Sequence, residues 1–155
     1  MDESENQIQG VIVKPLKRIP DIRGTIMQGV RSDNILNEFG EVYFKKLYKN
    51  IINGWHVHET LILNYIGICG MIKVVLYDMR ENSATKGKLY EIFMGDDNYV
   101  LVHVPTGIAN ASTVISGESA IMCNVASEPH DPNLKYTRID PHDGQIPYDW
   151  NKRDY

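Results

Sequence analysis

The stretch LILNYIGICGMIKVVLY, residues 61–77, indicates the fold class more directly than any other part of the chain. It holds two runs rich in β-branched and aromatic residues, Leu61–Ile68 and Met71–Tyr77, and glycine punctuates it. Short apolar runs that are bounded by turn residues are typical of β-strands. We therefore predict two strands in this stretch.

Runs of the same kind recur on both sides of it. Further predicted strands are Val11–Val13, Glu41–Tyr48, Leu89–Met94, Val100–Val104, Ser112–Ile115 and Ala120–Ala126. Turn signals such as Pro105-Thr106-Gly107 and Ser116-Gly117 separate them, and helical patterning is confined to a turn or two within Ser32–Phe39. Short strands at this spacing indicate a sandwich or barrel rather than a parallel α/β sheet. We predict an all-β chain with less than about a fifth of its residues in helices.

Length and composition favour one domain. The chain has 155 residues, of which 43% are hydrophobic and 23% charged, and this suits a single core. We predict one domain over residues 1–155. Within it, Asp140–Tyr155 is expected to be an ordered C-terminal tail, because it is dense in tyrosine, tryptophan and proline, which disordered tails rarely carry.

Charge and hydropathy argue against several classes of partner. A formal net charge of −4 gives no electrostatic reason to expect nucleic acid. No apolar run approaches the roughly 20 residues of a membrane helix, and the polar start Met1–Glu5 is unlike a signal peptide. The two cysteines, Cys69 and Cys123, lie in apolar runs, so we interpret them as core thiols and not as a disulfide framework. We expect a cytoplasmic protein without a nucleic-acid or membrane partner.

The densest chemical signal is Gly54-Trp55-His56-Val57-His58-Glu59. Because side chains alternate along a strand, His56 and His58 are predicted to share one face. Two imidazoles on one face suit a metal site, or a catalytic base with a neighbour. The plain alternative is two polar side chains on a solvated face.

Six motifs in chain order resemble the dTDP-4-dehydrorhamnose 3,5-epimerase family. They are Asp21-Ile22-Arg23-Gly24, Phe39–Tyr43, Asn53–His58, Gly70–Arg80 with the turn Ser83–Gly87, Pro105-Thr106-Gly107, and Arg138-Ile139-Asp140-Pro141. The resemblance is greatest to a compact branch with a Trp-His-x-His motif and an Ile-Pro-Tyr-Asp-Trp tail. It implies a cupin-type jelly-roll β-barrel that acts as a homodimer and needs no metal or organic cofactor.

The resemblance also implies a reaction, on a nucleotide-diphosphate 4-keto-6-deoxy sugar. Protons at C3 and C5 lie next to the ketone, so a base can remove them, and returning the proton to the opposite face inverts the carbon. His56 falls on the family's catalytic base and Asp140 on the carboxylate that orients it. Arg23 falls on the diphosphate-binding arginine that reaches into the neighbouring subunit. The other expected substrate-binding residues are His58, Asn110 and Asn124.

Two family groups are missing at their aligned positions. Asn124 stands where the best-studied members place a tyrosine acid, and no lysine follows His58 where the family holds the enolate oxygen. This pattern fits inversion at one carbon only, although inversion at C3, at C5 or at both stays open. It also leaves open a sugar 3,4-ketoisomerase on the same barrel, or a nucleotide-sugar-binding protein without activity.

Metal binding is a further alternative. Metal-binding cupins follow His-x-His with a glutamate three or four residues later and a histidine after the Pro-x-Gly turn. Here Glu59 comes too soon, and Asn110 stands at the later histidine. We expect no metal, and the metal-dependent alternative requires His103 to join His56 and His58.

Overall fold

The computed structural model describes residues 7–33 and 35–151. Within these residues the chain forms ten strands and no helix, which confirms the all-β prediction. The predicted helical turn at Ser32–Phe39 contains undescribed Asn34, and residues 152–155 of the predicted tail lie outside the described residues. The strands are β1 (Ile12–Pro15), β2 (Arg18–Asp21), β3 (Gly24–Met27), β4 (Glu41–Tyr48), β5 (Ile52–His58), β6 (Leu63–Asp78), β7 (Leu89–Gly95), β8 (Val100–Val104), β9 (Ile108–Ala126) and β10 (Tyr136–Arg138).

The main sheet is antiparallel throughout and has the strand order β1-β8-β6-β9-β5-β10. β4 also pairs with β9, and β7 with β6, whereas β2 and β3 form a separate hairpin. β5 pairs with residues 109–113 of β9, and β4 pairs with residues 119–126 of β9. The two strands therefore attach to different parts of β9, and this arrangement creates the space for a site between them.

β6 and β9 are single long strands, so the prediction that each consists of two strands was wrong. Register shifts between Gly67 and Ile72 bend β6 without ending it. A side chain at Gly95 would place its Cβ 1.9 Å from the carbonyl oxygen of Gly70. The glycines thus permit a close backbone approach at a bend, as glycine often does inside strands. Ser116-Gly117 likewise lies within β9.

An apolar core fills the space between the strands, and two outer layers cover the sheet. The core consists of Ile8, Val11, Leu47, Leu63, Tyr65, Ile72, Val74, Leu76, Ile92, Met94, Val100, Val102, Val104, Ile108, Val114, Ala120 and Met122. On one outer face the C-terminal tail packs Ile139 and Ile146 against Trp55. On another, Leu16, Met27 and nearby residues cover Ile66.

The cysteines differ in burial. Cys123 is buried, but Cys69 is exposed at the bend of β6, so the expectation of two core thiols was wrong for Cys69. The apolar run around Cys69 does not reveal that the strand bends there. The described residues contain no helix with the length and hydrophobicity needed to cross a membrane.

The Asp-x-Arg motif at the end of β6 organises the turn into β7. Asp78 is fully buried, and its carboxylate accepts hydrogen bonds from Arg80, Ser83 and Thr85 at 2.6–3.1 Å. Burial alone would raise the pKa of Asp78, but these hydrogen bonds outweigh it and hold the pKa well below the ordinary value. The motif thus stabilises the connection between β6 and β7.

Candidate functional site

A cavity of about 690 Å³ lies beside β4, β5 and β10. The side chains that line it include Tyr43 and Lys45 from β4, His56 and His58 from β5, and Tyr136 and Arg138 from β10. β10 pairs with β5 in a register that sets Tyr136 opposite His58 and Arg138 opposite His56. The ring of Tyr136 stacks on His58, with centroids 5.6 Å apart. Both predicted histidines thus face one cavity, as the alternation along a strand predicts.

A layer of buried polar side chains lies behind this cavity. Tyr65 donates its hydroxyl proton to Oδ1 of Asn110 at 2.9 Å, and Nδ2 of Asn110 donates to the carbonyl of His56 at 2.9 Å. Nδ2 of Asn124 donates to the hydroxyl oxygen of Tyr43 at 2.8 Å. Asn110 and Asn124 therefore support the groups that line the cavity and do not line it themselves. Their predicted contact with substrate stays a prediction.

The environment of His56 keeps its imidazole neutral. Burial, followed by the positive charges of Lys45 and Arg138 and by His58, lowers the pKa of His56 to about 4. Burial and Lys45 also lower the pKa of His58. At neutral pH the His56 ring therefore carries a free lone pair. A neutral imidazole in a partly dry cavity is suited to accept a proton from carbon.

This environment predicts an unusual pH dependence of activity. Because the pKa is lowered, His56 stays unprotonated as the pH falls through the ordinary histidine value, and it gains its proton only near pH 4. We expect kcat/KM for proton exchange to hold level through the ordinary histidine range and to fall only near the lower value. Lys45→Met removes one of the cations, so the acid limb should move to higher pH. An acid limb centred at the ordinary value of 6.5 in the unaltered protein would contradict this account.

Two other predicted site residues, Asp140 and Arg23, do not line this cavity in the single chain. Asp140 is exposed, and its Oδ1 accepts the backbone N–H of His142 at 2.8 Å. Within the described residues no hydrogen bond joins Asp140 to His56. Arg23 lies at the connection between β2 and β3, with 85% of its side chain exposed, and pairs with Asp21 at 2.6 Å. It does not line the cavity.

The histidines do not form a metal-binding set. Nδ1 of His103 lies 2.8 Å from Oδ1 of Asn64, and His103 is absent from the lining of the cavity. Among residues 7–33 and 35–151, no group of three or more His, Cys, Asp or Glu could hold a metal ion. The geometry gives no support to the three-histidine alternative.

Sequence reasoning missed Tyr43 and Lys45. Along β4, Glu41, Tyr43 and Lys45 face the cavity, whereas Val42 and Phe44 are exposed. The period-two alternation of polar and apolar residues in Glu41–Tyr48 marks a face, but the polar face is the one that turns inward. One sequence signal could have identified them. Titratable side chains occupy alternate positions of a predicted strand that is close in sequence to the His-x-His strand.

Comparisons with known proteins agree with this fold. Residues 5–155 match the family model described as dTDP-4-dehydrorhamnose 3,5-epimerase. The chain is 36% identical to the spore coat polysaccharide biosynthesis protein SpsL of Bacillus subtilis, over 93% of this chain and 97% of that protein. It is 30% identical to a probable low-salt glycan biosynthesis epimerase of Haloferax volcanii, over 92% of this chain and 89% of that protein.

A solved structure extends the comparison to three dimensions. The dTDP sugar isomerase of Desulfovibrio desulfuricans G20 superposes with a TM-score of 0.89 at 28% identity, with 95% of this chain and 94% of that chain covered. The predicted resemblance and the predicted jelly-roll fold are thereby confirmed. The chain belongs to the dTDP-4-dehydrorhamnose 3,5-epimerase family, and it is an isomerase of the epimerase type on a cupin barrel.

Proposed function

We propose that the protein inverts C3, C5 or both of a nucleotide-diphosphate 4-keto-6-deoxy sugar, and that His56 is the base. The observation that carries the proposal is the neutral, half-buried imidazole of His56 in a cavity that also holds two cations. His56 takes a proton from the carbon next to the ketone, and the electron pair moves to the ketone oxygen as an enolate. Return of a proton to the other face restores the ketone with inverted configuration.

Lys45 is our candidate for the group that stabilises the enolate oxygen. Its ammonium lines the same cavity, and burial, followed by the charge of Arg138, lowers its pKa. A cation in a partly desolvated site stabilises a developing oxyanion more than one in water does. An anionic substrate would also offset the two cations that depress the pKa of His56. Binding would thus make the imidazole a stronger base at the moment when it is needed.

The test is a panel of 4-keto nucleotide sugars incubated with the protein in deuterated water. We expect deuterium at C3, C5 or both, and an inverted product by NMR. A product with its ketone moved to C3 would identify a ketoisomerase instead, and binding without exchange would identify an inactive binding protein. Metal analysis of the same sample tests the metal-dependent alternative.

We further propose a homodimer in which Arg23 binds the diphosphate in the partner's cavity. The connection between β2 and β3 supports this, because Ile22 and Arg23 extend into solvent, and an Arg fork suits phosphate oxygens. Light scattering should give twice the 17.7 kDa mass of the chain. A monomer at micromolar concentration would rule out the dimer.

Mixed dimers test whether Arg23 acts across the interface. Arg23→Ala should raise KM by about 10- to 100-fold, the usual cost of one charge-assisted contact, with a smaller effect on kcat. Refolding it with an equal amount of His56→Ala should restore about a quarter of the normal activity, because half of the dimers are mixed and each has one intact site. If Arg23 acts within its own chain, every site in the mixture is defective. Absence of recovery in proven mixed dimers would therefore contradict the proposal.

A further inference from the structure

We propose that Tyr43 is the acid that returns the proton to the substrate on the face opposite His56. The inference rests on the proposed function and names a group that the reaction needs and that the aligned position, Asn124, cannot supply. An amide cannot deliver a proton to carbon as an acid. The phenol of Tyr43 lies next to that amide, on the neighbouring strand.

The pairing of β4 with β9 places the two side chains together. Tyr43 is directly opposite Asn124 in the antiparallel register, so both point to the same side of the sheet. Asn124 is fully buried, whereas Tyr43 lines the cavity. The Tyr43 hydroxyl, which contacts the buried amide of Asn124, therefore lies at the wall of the cavity.

The hydrogen bonds of Asn124 fix the direction of the Tyr43 proton. Oδ1 of Asn124 accepts the backbone N–H of Asn64 at 3.0 Å. A backbone N–H can only donate, so this contact assigns the oxygen of the amide, and Nδ2 must be the atom that faces Tyr43. Nδ2 donates to the Tyr43 oxygen at 2.8 Å. The hydroxyl of Tyr43 is therefore an acceptor toward Asn124, so its own proton is not used in that bond and is available to a substrate in the cavity that Tyr43 lines.

The topology separates this acid from the base. In the described part of the chain, His56 and Tyr43 belong to strands that both pair with β9 but at different stretches, residues 109–113 and 119–126. Their side chains therefore approach a bound sugar from different walls. Tyr136 and His58 are poorer candidates, because β10 pairs with β5 and His58 lies on β5 itself, so both lie on the wall that holds the base.

The electrostatics suit proton donation. Burial raises the pKa of Tyr43, although the Asn124 hydrogen bond opposes this, so the phenol is protonated at neutral pH. After transfer, the amide N–H still donates to the phenolate oxygen and stabilises its charge. The step balances as follows: the enolate C=C pair takes the phenol proton to form the C–H bond, and the ketone is restored. The phenolate then takes a proton from water, and the imidazolium of His56 releases one to water.

Tyr43→Phe separates this role from the rest of the reaction. The variant keeps the ring and the base, so deuterium should still enter the substrate on the His56 side, with configuration retained, within a few-fold of the normal rate. Inversion should fall by about 10²–10⁴-fold, the usual value of a positioned acid. Tyr48→Phe is the matched control, because Tyr48 lies on the same strand with its side chain exposed, and it should keep both activities.

Each result has one meaning. Exchange with retention in Tyr43→Phe, together with lost inversion, supports the proposal. Inversion within about tenfold of normal overturns it, and so does equal loss of exchange and inversion, because Tyr43 would then act in binding or in enolate formation. Failure of the proposed function itself looks different, since the unaltered protein would then show no exchange with any 4-keto sugar.

Discussion

Replacement of His56 by alanine is expected to slow deuterium exchange by about 10²–10⁴-fold, the usual contribution of a positioned general base. The fold should persist, because the imidazole is only half-buried and its ring lies beside exposed Tyr136, with ring centroids 6.0 Å apart. Nucleotide affinity should change little, since the diphosphate is assigned to Arg23 and the imidazole acts on the proton during the reaction. The measurement is single-turnover exchange in deuterated water, with affinity measured by calorimetry on the same preparation.

His58→Ala provides the control for this experiment. His58 lies on the same face of β5 with similar burial, and burial and Lys45 lower its pKa too, so it resembles His56 in setting but has no proposed role in proton transfer. We expect a milder loss for His58→Ala. Equal and complete losses at both histidines, accompanied by bound metal, would overturn the epimerase mechanism. Undiminished exchange in His56→Ala would remove the base from it.

The fold was predictable where local pattern decides the structure. The predicted strands Glu41–Tyr48 and Val100–Val104 coincide with β4 and β8, because each is a short apolar or alternating run with turn residues at its ends. The continuity of β6 and β9 was not predictable in this way. Glycine marks both a turn and a bulge, and at Gly70 only the approach of Gly95 from another strand distinguishes the two.

The candidate site shows the same contrast between features that a local sequence pattern predicts and features that it does not. Alternation within one strand suffices to place His56 and His58 together. Tyr43 and Lys45 reach that cavity because β4 pairs with β9 in one particular register. The register between strands that are distant in sequence cannot be predicted from a local pattern. Family positions did not help, since they directed attention to Asn124 and to the residues after His58. The structure shows that β4 brings a phenol and an ammonium to the same cavity.

Trp55 connects the site to the C-terminal tail, and its loss should have the largest effect on stability. The side chain is 1% exposed. Its ring meets Tyr148 edge-on, with centroids 6.1 Å apart, and lies tilted against Trp150, with centroids 5.5 Å apart. Its backbone exchanges hydrogen bonds of 2.9 and 3.0 Å with Ile139. Ile139 directly follows β10, which carries Arg138 to the cavity. Trp55 therefore anchors both β10 and the C-terminal tail.

Trp55→Ala is therefore expected to lower the free energy of unfolding by about 3–5 kcal/mol, as large-to-small changes of buried aromatic residues do. That is a large share of the roughly 5–15 kcal/mol that stabilises a domain. Urea denaturation measures it as a lower midpoint. Phe93→Ala is the control, because Phe93 is 46% exposed on β7, and it should cost about 1 kcal/mol or less. Similar small losses in both variants would mean that the tail does not pack on Trp55 in solution.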